Sequence, residues 1–253
     1  MLSFLLWGAT ASAAPVLLDA SDGVHLKGDV WGKGTQGVVL IHGDGRTRAD
    51  WSAWGPRLAE QGMLVLAIDL RGHGESSLGR PMADADWQAA ARDVSAAVAW
   101  MRRKSVSVVS VVAVDSGGNA AMAAAAVDPG IHDLTWLSPR PTAHGMTARL
   151  QLASWAGPTF FVASDADTLS AKTATLLAES AKGPHHVVTV AESAAGVNLL
   201  DVDPGIGSTF ISWLNGSLMA QVEAAARGAA QPPKLDDIHA SGTAIEDKQS
   251  PVP

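Results

Sequence analysis

Ser107-Val108-Val109-Ser110-Val111-Val112-Ala113-Val114 runs straight into Asp115-Ser116-Gly117-Gly118-Asn119-Ala120. The first eight residues are dominated by β-branched side chains, with no alternation of polar and apolar positions. Such a run reads as a strand buried on both faces. The glycines and small residues that follow permit a tight turn, and the alanine-rich stretch from Gly118 to Val127 is predicted to be a helix. A strand that ends on a carboxylate and a hydroxyl, then turns sharply into a helix, presents chemistry at the strand's carboxyl end.

The same pattern repeats outward from this point. Gly37–Ile41, Met63–Ile68, Leu134–Leu137, Thr159–Ala163 and Val187–Val190 are further short apolar runs. Between them lie helical stretches at Trp51–Gln61, Asp84–Lys104 and Ser170–Lys182, with a last one at Gly207–Leu218. Val16–Ala20 and Val24–Trp31 flank Asp22-Gly23, a hairpin signal. Apolar strands alternating with helices predict an α/β fold: a doubly wound, mostly parallel, eight-stranded sheet with helices on both faces and no large cap. Functional groups in such sheets lie beyond the carboxyl ends of the strands.

Three segments carry a family resemblance. They are Val38-Val39-Leu40-Ile41-His42-Gly43 followed by Trp51, then Ala67-Ile68-Asp69-Leu70-Arg71-Gly72-His73-Gly74-Glu75-Ser76, and Val112 to Ala120. In this order, each behind a matching strand, they resemble the α/β-hydrolase superfamily. The nearest likeness is to small members without a large lid, such as dienelactone hydrolase and serine-aminopeptidase-like esterases, over about residues 16 to 218. The resemblance implies an oxyanion turn at His42, Gly43 and Asp44, with the backbone N–H of Asp44 as one donor. It implies a nucleophile at the turn after Val114, an acid after Thr159–Ala163 and a histidine after Val187–Val190.

The residues at those places depart from the family pattern. The nucleophile turn needs small residues two before and two after its tip. Asp115 at the tip has Ala113 and Gly117; Ser116 would have Val114, which is bulky, and Gly118. Asp115 therefore takes the tip, with Ser116 as the alternative. Haloalkane dehalogenases and soluble epoxide hydrolases use a carboxylate there. Asp167, with Asp165 behind it, takes the acid position, and a helix N-cap for Ser170 onward is the competing role. Ala195, before Gly196, stands where the histidine is expected, and a methyl group accepts no proton. His185 and His186 enter the last strand at its far end, about 15 Å from the rim at ~3.3 Å per residue. His144, in a rim loop, is the candidate replacement base. Asp44 is expected either to cap its own turn or to face Asp115, and His73 to pack a loop.

The expected function is therefore a degenerate hydrolase scaffold acting as a binding or structural protein, with a small molecule as its ligand. The alternative is a hydrolase of ester-type or carbon–halogen substrates using Asp115 or Ser116. No cofactor and no resident metal is expected. A net charge of −7 and the absence of a basic run beyond Arg102-Arg103-Lys104 argue against nucleic acid. The chain has no cysteine, which excludes disulfides and thiolate chemistry. Residues 1–13, apolar and ending in Ala11-Ser12-Ala13, read as an export signal into periplasm or medium. A buried N-terminal strand in a cytoplasmic protein is the alternative. Residues 14–218 form the expected domain, and 219–253 a helix end and disordered tail.

Overall fold

The computed structural model describes residues 12–230 except 77, 79 and 81. The expected export signal lies almost wholly outside the described residues, as does the tail beyond Ala230.

Eight strands form one sheet: β1 (Ala14–Asp19), β2 (His25–Gly32), β3 (Gln36–Ile41), β4 (Leu64–Ile68), β5 (Val108–Val114), β6 (Asp133–Leu137), β9 (Thr159–Ser164) and β10 (His185–Val190). Between β6 and β9 a small hairpin, β7 (Thr142–Ala143) and β8 (Met146–Thr147), stands apart. The order across the main sheet is β1-β2-β4-β3-β5-β6-β9-β10. β1 and β2 run antiparallel to their neighbours, and the remaining six strands are parallel. Every residue of β4 and β6 is buried, which is why their sequences show no alternation.

The helices are α1 (Trp54–Glu60), α2 (Asp84–Ala89), α3 (Ala91–Arg102), α4 (Ser116–Ala125), α5 (Ala148–Leu152), α6 (Thr168–Ser180), α7 (Pro204–Leu214) and α8 (Ser217–Ala230). They divide between the two faces of the sheet. One core layer joins Val39, Ile41 and Val111 to Val94 and Val98 of α3, Ala121 of α4 and Leu177 of α6. The other joins Val38, Leu40 and Val112 to Trp54 of α1 and to Phe210 and Trp213 of α7. Successive residues of β3 feed opposite layers, as the two-residue period of a strand requires.

Several elements differ from expectation. The single helix predicted over Asp84–Lys104 is two, separated at Ala90, where the Ala90 N–H bonds to the Trp87 carbonyl three residues back. No proline or glycine signals the break. The helix predicted at Gly207–Leu218 starts earlier, at Pro204, with Asp203 as its N-cap accepting from the Gly205 N–H, and ends at Asn215-Gly216, after which α8 extends to Ala230. Chain taken for a helix end and tail is thus helical as far as Ala230. The hairpin of β7 and β8 was not foreseen. Its two turn residues, His144 and Gly145, have φ of 50° and 73°, the twist that a two-residue hairpin turn demands.

Candidate functional site

The turn after β5 has Asp115 at its tip, with φ 49° and ψ −126°, and α4 begins at Ser116. A non-glycine residue with positive φ is costly and persists only where its surroundings hold it. Here they do. The Asp115 N–H bonds to the Leu137 carbonyl, and the Asp115 carbonyl accepts from the Trp136 indole at 2.9 Å and from the Gly118 N–H. Two and three residues beyond the tip, glycine leaves room that a side chain would fill. A Cβ on Gly117 would stand 2.1 Å from the His42 carbonyl oxygen, and one on Gly118 1.8 Å from the Trp136 indole nitrogen.

Ser116 points elsewhere. It is 3% exposed, and its Oγ accepts the Asp44 backbone N–H at 3.0 Å. That N–H is one of the donors the family resemblance assigns to the oxyanion turn, and a side chain of the same protein occupies it. His42 holds the turn in place. It is fully buried, with Nδ1 2.7 Å from the Gly43 carbonyl oxygen and Nε2 accepting from the Leu70 N–H at 3.0 Å. That pattern fixes the neutral ring with its proton on Nδ1. Burial pushes its pKa down to about 4.

The Asp115 carboxylate is paired with a residue not anticipated for the site. Arg140, in the loop after β6, donates from Nε to Asp115 Oδ1 at 3.1 Å, and its Nη1 lies 3.2 Å from Asp167 Oδ2. Asp167 also caps α6, its Oδ1 accepting from the Ser170 N–H at 3.1 Å. The N-cap role is thus observed, while the other oxygen of Asp167 meets a guanidinium. Arg140 is 28% exposed, Asp115 36% and Asp167 26%. A guanidinium bridges the two carboxylates where the resemblance calls for an imidazole. Arginine stays protonated at any physiological pH and has no lone pair to accept a proton.

Ala195 faces the same space. With Gly43, Asp44, Arg46, Asp50, Val114, Asp115, Gly196, Val197 and Asn198 it lines a cleft of about 360 Å³. The loop is positioned by the Gly196 N–H, which donates to Ser138 Oγ at 2.9 Å. The cleft wall is charged: Arg46 forms a two-point pair with Asp50 at 2.8 and 2.7 Å.

His144 lies elsewhere on the rim. Its Nε2 is 3.3 Å from Asp44 Oδ2, its Nδ1 is 3.2 Å from Asp84 Oδ1, and its ring stacks on Trp87 with centroids 4.5 Å apart. Both ring nitrogens are therefore committed to carboxylates other than Asp115. Asp44 pairs with the histidines, its other oxygen 3.7 Å from His73 Nε2. His185 and His186 sit at the start of β10, in register with Thr159 and Phe160 at the far end of the sheet. Among the described residues no group of three or more histidines and carboxylates is placed to hold a metal ion, and no helix is long and apolar enough to cross a membrane.

Arg140 could have been suspected from sequence on one ground. The rim collects Asp44, Asp115 and Asp167, and a cation in an adjoining loop is the natural counter-charge. Nothing in the spacing says which carboxylates it meets.

Comparison with known proteins agrees with this architecture. Residues 33–145 match the family model of serine aminopeptidase, S33, which spans the oxyanion turn and the Asp115 turn and stops short of Asp167 and Ala195. No curated protein sequence matches the chain. Among solved structures, the Pyrococcus furiosus esterase Pf2001 superposes with a TM-score of 0.70 at 17% identity, over 81% of this chain and 89% of that one. Dienelactone hydrolase from Anabaena variabilis gives 0.65 at 20% identity, over 84% and 99%. An esterase from Exiguobacterium antarcticum gives 0.67 at 16% identity, over 80% and 100%. With its strand order, its strained turn after β5 and these neighbours, the chain is an α/β-hydrolase-fold protein.

Proposed function

We propose that this chain is a binding or structural protein on a hydrolase scaffold, its reaction centre closed by its own charges. The observation that carries this reading is the Asp115–Arg140–Asp167 bridge. A carboxylate nucleophile attacks with a lone pair, and a guanidinium bonded to it draws that charge away. The ester formed by such an attack must then be cleaved by water activated by a base. General-base assistance is worth ~10²–10⁴-fold, and arginine gives none. The small charged cleft beside Asp115 suits a polar small molecule.

The test is a panel of p-nitrophenyl esters and haloalkanes together with a fluorophosphonate probe. The expected result is turnover no faster than buffer and no labelling of Ser116. Turnover with ¹⁸O entering the Asp115 carboxylate would overturn the reading.

A second reading keeps Asp115 as a nucleophile for ester-type or carbon–halogen substrates. Its support is that Asp115 lines the cleft and is over a third exposed, and that a carboxylate needs no base for its first step. That reading expects a stalled ester on Asp115, visible as a mass increase of the intact protein after incubation with a haloalkane. Export is proposed on the N-terminal sequence. A mature protein beginning near Ala14 would keep β1 whole, and N-terminal sequencing of secreted material reads this directly.

A further inference from the structure

The loop after β6 carries two groups that act at different places: Arg140 at the base of the small hairpin and His144 at its tip. Arg140 lies on Asp115 and Asp167. Four residues on, His144 reaches over a second hollow of about 340 Å³, which shares Asp44 with the first and is walled by Gly72, His73, Asp84 and Trp87. The hairpin is closed at its base by the Ala148 N–H bonded to the Pro141 carbonyl, and Met146 anchors it in the core. Its tip is held by polar contacts. These are the two carboxylates on His144, the Trp87 face beneath its ring and a bond from the Gln88 amide to the His144 carbonyl at 3.2 Å.

The chemistry of that tip depends on one proton. A protonated imidazole has two N–H donors, and both find a carboxylate oxygen, Asp84 at 3.2 Å and Asp44 at 3.3 Å. A neutral imidazole has one donor and one acceptor, so one of its nitrogens would face a carboxylate oxygen lone pair to lone pair. The cationic ring also gains from lying on the indole face. The titratable groups around it are Asp44 from the loop after β3, Asp84 from α2, and His73, which stands across Asp44 from the turn after β4. Trp87 and Gln88 of α2 complete the contacts. Histidine is the side chain that changes charge between about pH 5 and 8.

We propose that the hairpin Thr142–Thr147 is a proton-dependent strap: tied by a protonated His144 to Asp44 and Asp84, it holds Arg140 over Asp115 and Asp167, and loss of that proton unties it. The inference rests on the reading of Arg140 as the counter-charge that silences Asp115. It adds a means by which that counter-charge is loosened toward alkaline pH.

Amide hydrogen exchange of residues 142–147, corrected for intrinsic rates, tests this at pH 5.5 and 8.0. The carboxylates are more than half exposed, so the tie is modest, and protection is expected to fall about fivefold to tenfold at the higher pH. The amides of β5 serve as the control and stay protected at both. His144→Gln should give the low protection at both pH values, and Asp84→Asn, a change at an exposed carboxylate, should lower the pH 5.5 value part of the way. Equal protection of 142–147 at both pH values, or an unchanged pH dependence in His144→Gln, overturns the strap. Ester hydrolysis by the native chain would sink the reading of a closed site and leave the exchange result standing, so the two fail separately.

Discussion

Arg71 and Arg140 each sit between two aspartates, and they do different work. Arg71, in the turn after β4, binds Asp93 of α3 from Nε and Nη2 at 2.6 to 3.1 Å, and Asp22 in the β1–β2 turn at 2.7 and 3.0 Å. Its side chain is 3% exposed and that of Asp93 is fully buried. Arg140 makes single longer contacts to Asp115 and Asp167, and all three side chains are about a quarter to a third exposed. The same chemistry is structural where water is excluded and adjustable where it is not. In the buried case, Arg71 or Asp93 would be left as an uncompensated charge if the other went. At the rim, water takes over.

The largest expected effect therefore belongs to the buried Arg71–Asp93 pair. Burial pushes the Asp93 carboxyl above its ordinary range, against the pull of its Arg71 bonds. Replacing the cation with an apolar side chain of similar length, Arg71→Met, leaves burial alone. The expected loss is about 3–5 kcal/mol, read as a shift of the urea midpoint at constant slope. A loss under 1 kcal/mol would mean that Asp93 simply protonates, and the contrast with Arg140 would collapse.

The next effect comes from the same buried frame. Folding holds His42 neutral, with a pKa of about 4 against 6.5 for an ordinary histidine. A depressed folded pKa contributes stability that is complete above the unfolded value and lost as pH falls toward the folded one. Stability should thus decline by about 3 kcal/mol between pH 6.5 and 4. The chain carrying His42→Asn should show a flatter profile in that window. The bonds from Arg71 hold Asp22 at about 2, so its contribution is lost only at lower pH. If the profile is flat in the native chain, His42 is hydrated and the frame is looser than its burial says.

A third change asks whether the rim backbone is as firmly built as the frame, even though the rim charges are not. Gly118→Ala places a methyl group against the Trp136 indole, which holds the Asp115 carbonyl. Overpacking of this kind costs about 1–3 kcal/mol. Thermal unfolding should show it, and an unchanged midpoint would mean that the Asp115 turn relaxes without that bond.

How much of this was legible in the sequence follows from range. The central strands were legible because they are buried on both faces and read as apolar runs; Val38–Ile41 is buried throughout. Asp115 at the tip followed from the small residues two before and two after it, a local constraint. The break at Ala90 was not legible, because it is made by hydrogen bonding in an alanine run with no breaker. The hairpin at His144-Gly145 was hidden because its strands are two residues each and histidine is a weak turn signal. Arg140 was hidden for a different reason. Its partners lie 25 and 27 residues away along the chain on separate loops, and a long flexible side chain carries no periodicity that fixes its direction. Sequence placed the carboxylates; only three loops brought together could place the cation between them.

The smallest expected effect on stability is the most informative about function. Arg140→Ala removes contacts of 3.1 and 3.2 Å between partly solvated groups, and such pairs are worth ~0–1 kcal/mol. The unfolding midpoint should move little, while Asp115, which lines the cleft, loses its counter-charge. Binding of small organic cations, followed by calorimetry, should then strengthen in the variant relative to the native chain, because Asp115 in the cleft is left to pair with the ligand. The gain should shrink with added salt, since the groups are exposed enough to be screened. A destabilisation above about 2 kcal/mol would place Arg140 with Arg71 as part of the frame. The bridge would then be a strut of the fold with no bearing on what enters the cleft.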